Sequence, residues 1–202
     1  MTNVLAGGLI TLPSEGWLLV LAVAAYTMVM DFGEYLFHLA QHRIPALWAM
    51  HSFHHSDGAM NISTTQRHFW AKQAIKTVTI YFLVGLLFKV NAQIVTSYGI
   101  ISICNFFFHM NIPVGFGRGW FLLNSPQYHR VHHSSLPEHQ DKNFAALFPI
   151  FDVIFGVAYR PHPGEFPQTG LYDGDSPRGV IEAVIWPACN VYRRQLVASH
   201  RS

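Results

Sequence analysis

The chain has 202 residues, half of them hydrophobic and only 12% charged, with a positive mean hydropathy and a formal net charge of +2. Such a length suits one domain with a sizeable core, such a composition points toward a bilayer, and so small a charge gives no reason to expect nucleic acid as a partner. Two separated cysteines, Cys104 and Cys189, indicate neither a disulfide framework nor a thiolate site, so histidine carries the metal-binding capacity.

Residues 1–16 hold a short apolar run, Val4 to Leu12, broken by Gly7-Gly8 and Pro13, which reads as an interfacial or loosely ordered lead-in. It lacks the basic start of a secretory signal, so it is expected to belong to the mature chain. From Trp17 the sequence is continuously apolar to Met30, then carries Asp31, Glu34, His38 and His42 before Pro45. One long helix follows from this pattern, its first part spanning a membrane with Trp17 as interfacial anchor and its last turns emerging on the far side. At ~100° per residue the four polar groups fall within a stripe roughly 80° wide. Ionisable groups at membrane depth are costly unless paired or functional, so a stripe ending in two histidines marks a site.

Leu47 to His55 reads as a short helix with His51, His54 and His55 on one face, ended by Asp57-Gly58. Arg43, Arg67, Lys72 and Lys76 all follow the first crossing, and the sixteen residues before it contain no Lys or Arg. The positive-inside rule then puts the N-terminus outside and the histidines on the cytoplasmic side. Two apolar segments, Thr77 to Phe88 and Ile94 to Phe108, read as a helical hairpin that crosses and returns, each arm somewhat short for a core of ~30 Å. An even number of crossings brings His109 back to the side of the first histidines.

Gly115, Gly117 and Gly119 then predict a turn, Trp120 to Leu123 an interfacial stretch, and Pro126 precedes His129, His132 and His133. Polar residues from Ser134 to Lys142 lead to an apolar segment, Asn143 to Tyr159, interrupted by Pro149. The Pro- and Gly-rich tail ends in a short apolar helix around Val180 to Trp186, expected at the interface, and a basic terminus with Arg193 and Arg194. His139 reads as a solvated loop residue, and His162 and His200 as surface.

Eight of the thirteen histidines thus fall into three clusters: His38-x-x-x-His42, His51-x-x-His54-His55 and His129-x-x-His132-His133. With His109 as a ninth, they are too many for one tetrahedral ion and would give two metals about four nitrogens each, with positions left open, an arrangement suited to O2. Imidazole alone does not name the metal. A haem-binding electron-transfer protein would need single histidines well inside two spans, which the adjacent pairs His54-His55 and His132-His133 disfavour. A transporter would place its ligands near the midplane, and a closed structural site would need fewer of them.

Taken together, the three clusters in this order within an apolar chain resemble the fatty acid hydroxylase/sterol desaturase superfamily of membrane non-haem di-iron enzymes. Trp48-x-x-His51, Ser56-Asp57, Arg67-His68, His109-x-Asn111, Pro126-x-x-His129 and Phe151-Asp152-x-x-Phe155-Gly156 look like further landmarks of that family, so the resemblance covers about residues 30–157 of a single domain. It implies an all-α integral membrane helical bundle with a cytoplasmic-side di-metal site. The implied reaction is O2-dependent hydroxylation, or desaturation, at a C–H bond of a lipid such as a fatty acyl chain or sterol, with two iron ions as cofactor. The metal set would be His38, His42, His51, His54, His55, His109, His129, His132 and His133. His68 joins the candidates with its ligand role open.

Glu34, Asp31 and Asp152 are candidate partners for the outer N–H groups of ligating imidazoles. Glu34 and Asp152, with Asn111, are the residues placed in the catalytic surroundings, although Glu34 also reads as a buried acid paired with Arg43 or Arg67. His162-Pro163-Gly164 resembles the start of a cytochrome b5 haem motif, but Glu165 departs from it. Electrons are therefore expected from an external donor of ferredoxin or cytochrome b5 type with its reductase. Two departures from the family pattern, Phe69 for proline and Ala145 for glycine, touch the substrate pocket more than the metals.

Overall fold

The computed structural model describes residues 8–89 and 91–199, so residues 1–7 of the expected lead-in, and His200, lie outside the described residues. The fold is mostly helical and is organised by α1 (Gly16–Arg43), 28 residues or about 42 Å long. Among the described residues this is the one helix long and apolar enough to cross a membrane. Trp17, Leu18, Val20, Leu21 and Met28 face outward from it, while Ala22, Tyr26, Met30 and Phe37 pack inward. Helix α1 stops at Ile44, held extended (φ −99°, ψ 116°) because Pro45 follows, and Pro45 then starts α2 (Pro45–His55). The bend folds the histidine end of α1 back against α2.

The expected hairpin forms, with arms built differently from two plain helices. Its outgoing arm is α3 (Lys72–Lys76), one turn of π-helix at Thr77–Tyr81, and α4 (Phe82–Leu87); its return arm is α5 (Ala92–Ser102) and α6 (Cys104–Phe108). At ~1.5 Å per residue each arm reaches about 25 Å, less than a hydrocarbon core. Ile80, Val84 and Ile94 bury the hairpin against the upper half of α1. A two-residue parallel pairing joins β1 (Ile10–Thr11) to β2 (Phe88–Lys89). Gly8, at φ +47°, permits that pairing, because a Cβ there would collide with the backbone of Phe88 and Lys89.

Beyond the hairpin, Ser125 caps α7 (Pro126–His132) by accepting from the Tyr128 N–H, with Pro126 in the first turn. The segment that follows carries α8 (Ile150–Ile154), and a second apolar cluster of Tyr35, Phe144 and Phe151 fixes it to the lower half of α1. Ala145 is fully buried and outside the left-handed region, so the methyl group it has in place of a glycine hydrogen is tolerated there. Helices α9 (Val180–Val184) and α10 (Trp186–Ser199) close the chain. Val180, Ile181 and Val184 are exposed, whereas Trp186, expected in the same apolar helix, is fully buried behind α2 and its Nε1–H donates to Ser52 Oγ at 2.8 Å. Arg193 of the expected basic terminus is paired with Asp175 and Glu182.

Candidate metal centre

The fold sorts the histidines into two groups. The single face expected for α2 divides, because His51 and His55, four residues apart, meet one set of rings and His54 another; in α7 and its C-cap, His129 and His133 share a side and His132 takes the other. The two H-x-x-H-H motifs therefore split two to one in opposite senses. His38, His42, His51, His55 and His132 converge in one group, and His54, His109, His129 and His133 in a second, with the facing nitrogens of each group within 4.8 Å of one another. His55 and His133 stack at 4.4 Å where the groups adjoin.

Hydrogen bonds on the far nitrogens determine which way the lone pairs point. His38 Nδ1 lies 2.7 Å from Phe144 O, His54 Nδ1 3.2 Å from Arg67 O, His109 Nδ1 2.8 Å from Asn105 O and His132 Nδ1 2.8 Å from Lys142 O. His42 Nδ1 is 3.3 Å from Asp141 Oδ1. An oxygen acceptor at Nδ1 requires an N–H there, which leaves Nε2 of all five rings with a bare lone pair. Those Nε2 atoms face other imidazole nitrogens: His38 to His51 at 3.0 Å, His42 to His55 at 3.3 Å, His109 to His54 at 3.3 Å and to His129 at 3.1 Å. His132 Nε2 and both nitrogens of His133 are buried without a protein partner.

Converging lone pairs repel unless a cation sits among them. Metal–nitrogen bonds of ~2.0–2.1 Å give nitrogen–nitrogen edges of ~3.3 Å in a tetrahedron and ~3.0 Å in an octahedron, so the observed separations fit metal coordination. Burial, together with neighbouring imidazoles, holds His51, His54, His55, His129, His132 and His133 well below the ordinary histidine range. His109 is pushed down to about 4, chiefly by burial. All are therefore neutral near pH 7, the form that binds metal.

The carboxylates expected beside the imidazoles stand elsewhere. Asp31 accepts from the N–H groups of Leu147 and Phe148 at 2.9 and 3.0 Å, and Asp152 from those of Phe144 and Ala145 at 2.8 and 3.0 Å and from the Tyr128 hydroxyl at 3.0 Å. Both act one step removed, by holding the 142–148 loop whose carbonyls accept from His38 and His132. Glu34 pairs with Lys76 at 2.5 Å, not with Arg43 or Arg67. Asn111 accepts from Arg130 at 2.9 Å, tying the turn after His109 to α7 without touching either group. His68 lies outside both groups, its ring 4.3 Å from His54 and its nitrogens within 3.2 Å of Lys72 Nζ. The carboxylate that does meet a ligand-type imidazole is Asp141, in the left-handed region at φ +56°. Its only sequence signal is an acid between the third cluster and Asn143. His139, expected in solvent, is 2% exposed.

Two cavities flank the groups. One of about 400 Å³ touches His38, His51, His54, His109 and His129; Phe37, Ile103 and Phe106 line part of its wall, and Glu34, Lys72 and Lys76 another. Lys72 and Lys76, four residues apart on one face of α3, are legible in the sequence only for their charge. The other, of about 420 Å³, reaches His42, His55 and His132 and is lined also by Trp48, Ser134 and Asp141.

Comparison with known proteins agrees with this geometry. The fatty acid hydroxylase family model matches residues 23–157. An alkylglycerol monooxygenase of Danio rerio is 34% identical over 162 residues, which is 78% of this chain and 33% of the relative; that of Homo sapiens is 33% identical over 128 residues, 63% of this chain and 28% of the relative. An ornithine lipid hydroxylase of Rhizobium tropici is 24% identical over 189 residues, 91% of this chain and 55% of the relative. The chain thus spans about a third of the length of those monooxygenases and about half that of the hydroxylase. No solved structure matches. With its three histidine clusters inside the matched region, the chain belongs to the fatty acid hydroxylase family.

Proposed function

We propose that this chain is a single-domain, O2-dependent monooxygenase that hydroxylates a C–H bond of a membrane lipid, with one iron ion in each histidine group. The observation that carries the reading is the pair of adjoining groups of five and four neutral imidazoles whose lone pairs converge. Two redox-active ions held there would supply the activation of O2; the relatives' names favour hydroxylation over desaturation.

The chain itself does the rest. Backbone carbonyls and Asp141 fix the rings by accepting from Nδ1, so the site is built before metal arrives. Phe37, Ile103 and Phe106 give the cavity that touches rings of both groups an apolar wall, against which an alkyl segment packs. Glu34, Lys72 and Lys76 in the same cavity suit a polar headgroup, so the substrate is an amphiphile bound with its polar end near the ion pair. Helix α1 anchors the domain in the bilayer, the hairpin enters beside it, and the histidines lie on the cytoplasmic side as the distribution of Lys and Arg suggests. Electrons come from a separate ferredoxin- or cytochrome b5-type donor.

Metal analysis of purified protein, followed by lipid profiling of a host expressing either the wild type or His132→Ala, tests this. Two metal ions per chain and a hydroxylated lipid that disappears with His132→Ala are expected. Metal well below one ion per chain, or no lipid change dependent on His132, refutes it.

A further inference from the structure

A hydrogen-bonded chain of protonatable groups lies outside both histidine groups and leads toward one of them. His139 sits among Pro137, Glu138, Gln140 and Asp141, yet it is 2% exposed. Its Nδ1 lies 2.9 Å from Ser134 Oγ and its Nε2 3.1 Å from Glu165 Oε1. Glu165 is fixed in turn: Oε1 accepts from the Tyr159 hydroxyl at 3.0 Å and Oε2 from the His162 N–H at 2.7 Å. Its side chain keeps 18% exposure, so this end of the chain reaches solvent. At the other end, Ser134 lines the cavity of about 420 Å³ that also touches His42, His55 and His132.

Both ring nitrogens of a buried imidazole are thus engaged, one by an acid at the surface and one by a hydroxyl at the site. A loop needs no such span for stability: the Ser134 turn is already closed by Leu136 N–H to Ser134 Oγ at 3.1 Å, and Ser135 N–H to Gln168 O at 3.0 Å holds the strand-like contact behind it. The Tyr159 ring also packs against His139, at 4.6 Å, and Glu138 precedes it in the chain.

We infer that Glu165, His139 and Ser134 form a proton relay from the surface to the cavity beside the five-histidine group. The relay rests on the monooxygenase reading. Inserting one oxygen atom of O2 into C–H and releasing the other as water consumes two electrons, from the external donor, and two protons, from solvent. For each proton, solvent protonates the Glu165 carboxylate and the carboxyl O–H passes its proton to His139 Nε2. The ring gives its Nδ1 proton to Ser134 Oγ, and Ser134 releases its own O–H proton to water in the cavity, remaining a hydroxyl. Tautomer exchange of the ring and rotation of the hydroxyl reset the path. These are positioning residues: none touches the reacting carbon.

Glu165→Gln tests the relay, since the amide keeps the shape and still accepts from Tyr159 but cannot deliver a proton; His139→Gln is the second variant and Glu165→Asp the conservative one. The full chain in host membranes is assayed for metal content, for the hydroxylated lipid lost in His132→Ala, for hydrogen peroxide released per O2 consumed, and for rate in H2O against D2O across pH. Expected are wild-type metal content, a product rate lower by about 100-fold in Glu165→Gln and His139→Gln, more peroxide, a larger solvent isotope effect, and partial recovery in Glu165→Asp. Unchanged rate and isotope effect overturn the relay, as does a fall in rate that merely parallels loss of metal. Should the wild type itself make no hydroxylated lipid, the monooxygenase reading fails and the relay with it; a working wild type with unaffected variants sinks the relay alone.

Discussion

His54 Nε2 lies 3.3 Å from His109 Nε2, although each ring already donates from Nδ1 to a backbone carbonyl, Arg67 O for one and Asn105 O for the other. Two lone pairs therefore confront each other in a buried place, and a bound cation relieves the repulsion. Replacing His109 by alanine removes one of four ligands from the second group while leaving the five-histidine group whole. The metal content is expected to fall from about two ions per chain to about one. Chelation of the wild type should lower the melting temperature, since binding at ~100 times Kd stabilises by ~2.7 kcal/mol. Elemental analysis and thermal melts check both.

Acid should act on the metal-free protein in a definite direction. Burial depresses the site histidines, His109 to about 4, while in the unfolded chain they titrate near the ordinary value of 6.5. Between those values the unfolded state binds more protons, so stability is present above pH ~6.5 and is lost as pH falls toward 4, by up to ~3 kcal/mol for His109 alone. Asp152 opposes this: burial raises it to about 6, so its contribution is fully present below its unfolded value near 3.8 and is lost as pH rises through about 6. The depressed imidazoles of the two groups outweigh the carboxyls that burial raises. Chemical denaturation of apoprotein at pH 7 and pH 5 should give the lower midpoint at pH 5.

Much of this arrangement is legible in the sequence, because it follows from helical spacing. Spacing brings His51, His54 and His55 into one arc, and Pro45 and Pro126 mark helix starts, whereas the split of that arc, His51 and His55 to one group and His54 to the other, comes from the rings the rest of the fold sets against each side. What spacing cannot reveal is which acid meets which ring across the fold. Asp31 and Asp152 look like imidazole partners until the 142–148 loop is seen to take their acceptor capacity through four backbone N–H groups. His139, in a polar run, looks solvated and Asp141 looks unengaged because their partners, Glu165 and His42, lie 26 residues or more away in sequence. Of the cations that argue for sidedness, Arg67 is bound to α2 through Phe53 O and Ser56 Oγ and Lys76 to Glu34. Part of that charge pattern thus serves the site.

Asp152 should matter more for the site than its distance suggests. It is fully buried and accepts three hydrogen bonds, two of them from the loop that presents Phe144 O to His38. Asp152→Ala strands those donors, and hydrogen bonds to a charged group are worth ~1.5–3 kcal/mol each, so a loss of about 3 kcal/mol or more is expected. Asp152→Asn, which keeps one acceptor oxygen, should lose less. Melting curves rank the two, and metal retention should fall in the same order.

Asp141 predicts the opposite balance of effects. Its carboxylate is half-exposed, and its hydrogen bond to His42 holds it below the usual carboxylate range. An exposed pair of this kind contributes only ~0–1 kcal/mol to folding, whereas losing the partner of a ligating imidazole costs ~10–100-fold in metal affinity. Asp141→Ala should therefore melt near the wild-type temperature yet release metal to a competing chelator at lower concentration. Unchanged competition would remove Asp141 from the support of the five-histidine group.

Glu34 sets the charge balance of the cavity of about 400 Å³. It pairs with Lys76 at 2.5 Å, and Lys72, which burial pushes down to about 7, lines the same space. Replacing Glu34 by glutamine leaves Lys76 without its counter-ion while keeping side-chain volume, so the cavity becomes more cationic and a bound headgroup must supply the missing negative charge. An amphiphile with an anionic headgroup should then show a lower KM relative to a neutral one of equal chain length, by about 10-fold for each ~1.4 kcal/mol of new ion pairing. The hydroxylation rate at saturation should change less, because Glu34 touches neither histidine group. Steady-state assays with matched neutral and anionic lipids separate the two effects; equal changes in KM for both lipids would show that the pair holds α1 to the hairpin and takes no part in selecting the headgroup.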